Sequence, residues 1–486
     1  MAKKAKAKTN KPESKTKPKK EKTPSAIHEL RLLTNKPQEK ELLKLMELGR
    51  LYYNAMLGEA KKRLEAIRRD PLYLQTVALP KKTDADKKQR RENFKQLNKQ
   101  YGFTNFDLQA FGTVCKNESK FLNQLGTHVL QKLSTRAFQA VEKVAFGKAK
   151  RVHFKRKGEY VSLEGKTNQT FLRYAKDHAL IANLVIPCKL RKNDPYHAHM
   201  LKHRIKYCRL VMRRIGTVDK FFLQVVFEGI PYQKVKLGDQ HTALDIGPST
   251  IATVNAKQAT LDYFCAELAD RSKEIKRLQR QAARKLRLGN PQNLDSRGAV
   301  KKGSRKWIRS KSWFKLKDRI ADIQRRLAAR RKQLHGIMIN RIVRDSCKVS
   351  TEKLSYKAFQ KLYGKSIGVR APASFENRLS DRITLLGGEF QSINTYHTRL
   401  SQTCICGAIK KKALSERMHT CPDCGTTMQR DLFSAFLALS VDNDRLDIKQ
   451  AKDRYPLYEP VMNQTLEQLK TLKKEKPQLI AATFGI

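Results

Sequence analysis

The chain has 486 residues, of which 40% are hydrophobic, which is enough for two to four domains with cores of their own. Its 102 Lys and Arg residues outnumber 45 Asp and Glu residues, and the formal charge of +57 far exceeds what solubility requires. The composition excludes a chain that is disordered throughout and predicts a large polyanion as the partner.

The first half of the chain predicts a basic arm, a helical domain and a β-rich domain. Residues 1–26 hold ten lysines and two glutamates with little to bury, which predicts a disordered arm that contacts phosphates, or a solvated tail without a role. A short strand opens residues 27–38, and apolar residues at helical spacing predict a helical domain over residues 39–147. Short apolar runs between Gly, Asp, Asn and Pro predict a small β-barrel or sheet over residues 148–238.

The second half alternates strands with long basic helices, which predicts an α/β or α+β core. Residues 239–403 read as a strand, a tight turn and a second strand, then two long basic helices, a further strand, a helix and a last strand. Residues 404–427 hold the clustered cysteines, and residues 428–440 read as a final helix. The role of the Lys- and Pro-containing tail, residues 441–486, stays open. Taken together, these elements predict that the whole chain is a multidomain α+β protein.

The sequence indicates a soluble intracellular protein. No apolar run approaches the roughly 18 residues of a membrane span, and the N-terminus lacks the apolar segment of a signal peptide. Four of the nine cysteines lie between Cys404 and Cys424, which is typical of a metal site in a reducing compartment rather than of a disulfide framework. For a prokaryotic source we expect a cytoplasmic, nucleoid-associated protein.

Three acidic residues occupy positions that suit phosphodiester chemistry. Asp245 ends an apolar strand at a Gly-Pro turn, Glu352 lies at the end of a β-like run, and Asp431 opens the final helix. Considered singly, each acid has a simpler explanation. Asp245 would be a turn residue, Glu352 a solvated charge and Asp431 a helix cap. Together they are the carboxylates that two-metal hydrolysis requires, and an oxygen-only ligand set suits Mg²⁺ or Mn²⁺.

The clustered cysteines predict a structural zinc site. Cys404, Cys406, Cys421 and Cys424 form C-x-C followed by C-x-x-C, and four thiolates satisfy tetrahedral Zn²⁺. The glycine of CPDCG permits a tight turn in the second pair, whereas the single residue between the first two cysteines strains the usual chelating turn. His419 therefore remains an alternative ligand to Cys404 or Cys406, and four free thiols are the other reading.

Several segments of the chain, together with their order along it, resemble TnpB-like transposon proteins and compact type V CRISPR (Cas12-like) nucleases. The resemblance covers roughly residues 27–440. The C-terminal segments are LDIGPSTIA, TEKLSY, SFENRLSDRITLLGGEF, LSQTC, CPDCG and QRDLFSAFLA, and the N-terminal ones are LGRLYYNAML, IKYCRLVMRR and FFLQVVFEG. The resemblance implies an RNase-H-like RuvC nuclease with a zinc-ribbon insertion that binds target nucleic acid. It also implies a β-barrel wedge domain and a helical recognition domain.

By this resemblance Asp245 matches the first catalytic aspartate, Glu352 the glutamate and Asp431 the last aspartate. The C-x-C half of the zinc motif departs from the pattern, which affects the zinc geometry rather than the nuclease. The resemblance implies an RNA-guided endonuclease that binds a guide RNA and double-stranded target DNA and reads a short adjacent motif. An RNA-guided repressor that does not cut, and an unguided nucleic-acid-binding scaffold or transposase accessory protein, are the alternatives.

Further contacts with nucleic acid are predicted at four residues and at a pair of helices. Arg430, next to Asp431, is placed to contact the scissile phosphate, or is merely solvated. Tyr52, Tyr53 and Asn54 lie near the recognition surface, although their helical spacing favours core packing for the two tyrosines. The long basic helices of the second half suit an RNA or heteroduplex backbone, or are merely solvated. The origin and length of the guide, the adjacent motif, the number of strands cut and the oligomeric state stay open.

Overall fold

A computed structural model describes residues 23–303, 306–413, 415–475 and 484, so most of the arm predicted for residues 1–26 lies outside the described residues. The chain forms two compact units, Met1–Tyr232 and Gln233–Ile486. Each unit combines helices with a β-sheet, which confirms the predicted multidomain α+β class. Among the described residues, no helix has the length and apolar character needed to cross a membrane.

The first unit has a helical part in which one long helix is defined at both ends by local sequence. From residue 23 onward its α-helices are α1 (Lys36–Arg69), α2 (Pro71–Ala78), α3 (Asp84–Gln100), α4 (Asn105–Glu118), α5 (Thr127–Ala145) and α6 (Pro195–Leu201). Asn35 caps α1, since its side chain accepts from the Gln38 amide at 2.9 Å and its own amide donates back to the Gln38 side chain at 3.1 Å. The helix ends before Asp70, which caps α2, with Pro71 at the start of that helix. The buried face of α1 packs on α5.

The sheet of the first unit has seven strands in the order β2-β6-β7-β1-β5-β4-β3. They are β1 (Ser25–Leu32), β2 (Ser162–Glu164), β3 (Leu172–Ala175), β4 (His178–Ile181), β5 (Leu184–Lys189), β6 (Ile205–Ile215) and β7 (Val218–Glu228). The N-terminal strand β1 pairs antiparallel with both β7 and β5. It therefore lies in the middle of the sheet, although its partners are more than 150 residues away in the chain.

The second unit is built on a mixed five-stranded sheet in the order β10-β9-β8-β11-β12. The strands are β8 (Gln240–Ile246), β9 (Thr250–Val254), β10 (Ala259–Tyr263), β11 (Ser346–Glu352) and β12 (Glu389–Ile393). The first three are antiparallel neighbours, whereas β11 runs parallel to both β8 and β12. The strands β8 and β11 therefore end at the same edge of the sheet.

Helices and short strands complete the part of this unit that the structure describes. They are α7 (Ser272–Leu288), α8 (Lys311–Asp345), α9 (Tyr356–Arg370), α10 (Pro372–Leu385), α11 (Thr395–Thr398), α12 (Arg430–Ala438), α13 (Ile448–Glu475), β13 (Met418–Thr420), β14 (Thr427–Gln429), β15 (Val441–Asp442) and β16 (Arg445–Leu446). The helix α12 is buried from Asp431 onward and packs against β8 and β9.

The C-terminal segment takes part in the core of the second unit. Sequence patterning treats residues 441–486 as a tail, but Ile448–Glu475 forms α13 and buries Ala451, Tyr455 and Met462 in the same cluster as α12. The Tyr455 ring lies 5.5 Å from the Phe436 ring of α12. Two prolines inside α13 and widely spaced apolar residues obscure the helical pattern in the sequence.

Candidate functional site

Two of the three predicted acids end neighbouring parallel strands. In the register of β8 and β11, Leu244 is opposite Thr351, and Asp245 and Glu352 follow these two residues directly. Because parallel strands present their carboxyl ends at one edge of a sheet, the two carboxylates lie at the same edge. Both side chains are partly buried.

The third acid reaches this edge from α12. The Gln429 side chain caps α12 by accepting from the Leu432 amide at 2.8 Å, which places Asp431 in the first turn. Asp431 is only 8% exposed. The Thr250 hydroxyl, at the start of β9, donates to Asp431 Oδ2 at 3.3 Å, and Arg417 Nη1 lies 3.9 Å from Asp431 Oδ1. Sequence reasoning missed both Thr250 and Arg417. Thr250 lies within the LDIGPSTIA segment, which could have drawn attention to it, whereas Arg417 stands in no recognisable motif.

The electrostatics show that the three acids influence one another. Burial raises the pKa of Asp245 well above its usual range, and the negative charges of Asp431 and Glu352 raise it further, while Arg430 and Arg417 oppose the effect. Burial also raises the pKa of Glu352 to about 7. Partly buried carboxylates that repel each other are stabilised by a shared cation, and their oxygen donors fit Mg²⁺ or Mn²⁺.

The four cysteines form a tighter group than the acids. Their sulfur atoms all lie within 4.8 Å of one another, and within the described part of the chain no other set of three or more Cys, His, Asp or Glu ligand atoms meets that spacing. The Cys404–Cys424 and Cys406–Cys421 sulfur pairs are both 3.6 Å apart. A tetrahedral zinc with Zn–S bonds of 2.3 Å requires sulfurs about 3.8 Å apart, so the cysteines fit Zn²⁺.

Two glycine turns shape this cysteine site. Gly407 and Gly425 both have positive φ angles, of 91° and 71°. Their amides donate to the carbonyl oxygens of Cys404 and Cys421, each at 3.0 Å. The C-x-C pair therefore has a glycine turn equivalent to that of CPDCG, and the sequence signal for it is the glycine directly after Cys406.

His419, the alternative zinc ligand, lies outside the sulfur group. Its ring is buried and stacks on Phe433 with centroids 4.3 Å apart, and its Nδ1 contacts Lys412 Nζ. The four sulfurs close the group without it. The geometry favours the four-cysteine set.

The Arg430 side chain points to the cysteine loop. Its guanidinium donates to the carbonyl oxygens of Ala413 and Glu416 at 2.9 and 3.1 Å, and its amide donates to the Arg417 carbonyl at 2.8 Å. These bonds tie the loop that carries Arg417 to the start of α12, beside Asp431.

The three predicted recognition residues of α1 are engaged within the first unit. Tyr52 is buried, with its hydroxyl 2.9 Å from Ser134 Oγ, and Tyr53 is buried with its ring 5.4 Å from that of Tyr160. Both tyrosines thus pack in the core, the reading that their spacing favours. Asn54 exchanges two hydrogen bonds of 2.8 Å with the backbone of Lys155 and holds the loop before β2.

The helix α7 carries a basic face. Five exposed basic residues repeat at alternating spacings of four and three along it, namely Lys273, Arg277, Arg280, Arg284 and Arg287. Its buried residues, Leu278 and Ala282, lie on the opposite side and face α8. A stripe of this kind follows a phosphate backbone well.

One segment of the chain matches a known protein family. Residues 373–437 match the family model described as "Cas12f1-like, TNB domain", a segment that includes the cysteine site and Asp431. No curated protein sequence matches the chain.

Two solved structures are similar to this one. A cryo-EM structure of a Cas12f1–sgRNA–target DNA complex has 12% identity and a TM-score of 0.42, and the match covers 85% of this chain and 98% of that chain. A cryo-EM structure of a CRISPR-Cas12f ternary complex has 12% identity and a TM-score of 0.25, covering 87% and 99%. With TM-scores below 0.5, neither establishes a shared fold. Residues 373–437 nevertheless support the resemblance to compact type V effectors, because this segment matches the Cas12f1-like TNB model.

Proposed function

We propose that the protein is an RNA-guided DNA endonuclease that cleaves its target with one RuvC-like, two-metal carboxylate site. The observation that carries the proposal is the convergence of Asp245, Glu352 and Asp431 at one edge of the mixed sheet. The Cas12f1-like TNB match supports the same class, because it overlaps the segment that supplies Asp431.

The two units divide the work in this proposal. The sheet of the second unit, with two antiparallel and two parallel strand pairings, supports an RNase-H-like nuclease. The helices of the first unit serve as the recognition domain and its seven-stranded sheet as the wedge. Guide pairing reads most of the target, while the protein reads duplex shape and a short adjacent motif. The basic stripe of α7 suits the backbone of the RNA or the heteroduplex.

The residues of the site have distinct tasks in hydrolysis. Asp245 and Glu352 would hold divalent cations from the strand ends, and Asp431 would hold them from α12. When bound, Mg²⁺ supplies an activated water and neutralises the leaving oxygen. The Thr250 hydroxyl keeps one oxygen of Asp431 in place, and Arg417, 3.9 Å from the other oxygen, adds positive charge beside the scissile phosphate.

The zinc site has a structural task. The four cysteines leave no open position for a substrate, so zinc would hold the loop and the β13–β14 hairpin together. Because Arg430 joins this loop to α12, the folded insertion also supports Asp431. The zinc-bearing segment would bind target nucleic acid next to the nuclease site.

The test is guide-dependent cleavage by the protein purified with its own RNA. The bound RNA is sequenced, and matching DNA is incubated with the complex and Mg²⁺. Asp245→Asn should lower cleavage by about 10²–10³-fold or more while DNA binding persists. Asp239→Asn is the matched control, since Asp239 directly precedes β8 at its opposite end and is paired with Lys257 in solvent.

Each failure of this test has a separate meaning. Cleavage that survives in Asp245→Asn contradicts the site. Specific RNA with DNA that is bound but uncut by the wild-type protein indicates a repressor. The absence of any specific RNA leaves an unguided nucleic-acid-binding protein.

A further inference from the structure

The end of the α7–α8 hairpin exposes an unusual number of apolar side chains. We call residues 288–303 and 306–317 the hairpin tip. Leu288 is 81% exposed, Ile308 is 65% exposed and Phe314 is 51% exposed. Both tryptophans of the chain, Trp307 and Trp313, also lie here and are half-buried. Exposed apolar patches of this kind mark interaction surfaces.

Two buried asparagines give the hairpin tip a defined shape. The Asn290 amide donates to the Leu286 and Ile308 carbonyl oxygens at 2.7 and 2.8 Å, and its oxygen accepts from the Ile308 amide at 2.7 Å. Asn293 donates to the Lys306 carbonyl at 3.0 Å. Because these bonds fix the backbone on both sides of Trp307, the apolar surface is preorganised for a partner.

The charge around this surface selects the class of partner. Residues 284–317 contain twelve Lys and Arg residues and one acidic residue, Asp295. The carboxylate of Asp295 accepts from the amides of Arg297 and Ala299, so it serves the local turn. A second copy of this chain, which also carries +57, would be repelled. A polyanion is attracted.

The aromatic rings of the hairpin tip lie among its cations. The Trp313 ring has the Arg309 guanidinium 5.2 Å and the Lys317 ammonium 5.9 Å from its centroid. The Phe314 ring lies 5.1 Å from it, edge to face. Binding sites for single-stranded nucleic acid combine aromatic rings, on which bases stack, with nearby cations that bind the phosphates. The backbone of a duplex would contact the cations, but its bases are paired and stacked on each other and would not stack on the aromatic rings.

We propose that the hairpin tip binds unpaired nucleotides, with bases stacked on Phe314 and Trp313 and phosphates held by Arg309 and Lys317. This inference rests on the proposed function, which makes nucleic acid the partner. It adds that the hairpin tip binds the unpaired part of that nucleic acid.

The two tryptophans supply a local probe, because no other part of the chain contains one. The full chain, freed of RNA, is titrated without Mg²⁺ with oligothymidine of about 12 nucleotides and with duplex DNA of equal length. The single strand should quench tryptophan emission strongly and the duplex weakly. Phe314→Ala should weaken single-strand binding roughly 5- to 150-fold and duplex binding less than about twofold. Phe121→Ala, an exposed phenylalanine of the first unit, is the matched control.

Three results would overturn the proposal. Equal weakening of both ligands by Phe314→Ala would show that the rings do not stack on bases. Unchanged emission on saturation would show that the hairpin tip makes no contact. Emission that changes with protein concentration alone, together with a dimer in sedimentation, would show that a second copy covers the surface. Asp245→Asn should keep the full quenching, so a failure of the cleavage proposal is distinguishable from a failure of this one.

Discussion

Replacing Glu352 by glutamine should stabilise the metal-free second unit at alkaline pH. Burial raises the pKa of Glu352 to about 7, whereas an ordinary glutamate has a value of 4.5. Between these two values the folded state binds more protons than the unfolded state, so stability falls as the pH rises through this window. Glutamine keeps the shape of the side chain and never acquires the charge.

The size of the gain follows from the same difference. At about 1.4 kcal/mol per pH unit, the raised pKa corresponds to about 3 kcal/mol of stability lost above pH ~7. Glu352 is only partly buried and interacts with Asp245, so solvent and relaxation reduce the effect, and we expect a gain of about 1–3 kcal/mol. Near pH ~5 the gain should shrink below about 1 kcal/mol, because folded Glu352 is then protonated.

The assay is urea unfolding at about pH 5 and about pH 8, with zinc retained and Mg²⁺ removed. Tryptophan emission reports the second unit alone, since both tryptophans lie there. Glu389→Gln is the matched control, because Glu389 on the neighbouring strand β12 is exposed and pairs with Lys348 at 2.9 Å, so its loss should cost less than about 1 kcal/mol. A variant Glu352→Gln that is no more stable than wild type at pH ~8, or that gains equally at both pH values, would refute the reasoning.

Two further changes test the zinc site and the core of the first unit. Cys421→Ser should lower bound zinc from about one ion per chain to near zero by elemental analysis, whereas Cys265→Ser, outside the sulfur group, should keep it. Retained zinc in Cys421→Ser would contradict the four-cysteine assignment. Gly112→Ala should lower the stability of the first unit by about 1–3 kcal/mol, since a Cβ there would lie 2.0 Å from the Tyr52 hydroxyl, whereas Gly364→Ala meets open space. A neutral Gly112→Ala in thermal unfolding would argue against the core position of Tyr52.

Individual helices and strands could be predicted from the sequence where local signals define them. Apolar spacing from Gln38 to Arg69 predicts one helix, and α1 spans Lys36–Arg69. The run Phe221–Glu228 predicts a strand, and β7 spans Val218–Glu228. In both cases the signal lies within the element itself, as hydrophobic periodicity and caps, and needs no distant partner.

The contacts that build the candidate site were less accessible to sequence reasoning. The positions of Asp245, Glu352 and Asp431 suggested a site, but the parallel pairing of β8 with β11 brings together residues about a hundred positions apart. Thr250 reaches Asp431 across 181 positions, and no local pattern encodes that bond. Arg430 stands beside Asp431 in the sequence, yet its side chain bonds the cysteine loop.

The sequence by itself determined the basic character of the protein, the helices and strands with strong local patterns, and the identity of the acids and cysteines. These are properties of composition and of short segments. Tertiary structure alone decided that β1 lies in the middle of its sheet, that α13 packs on α12, and that the hairpin tip exposes its rings among cations. Strand pairing and helix packing depend on residues far apart in the chain, where many pairings satisfy the same local pattern until burial selects one of them.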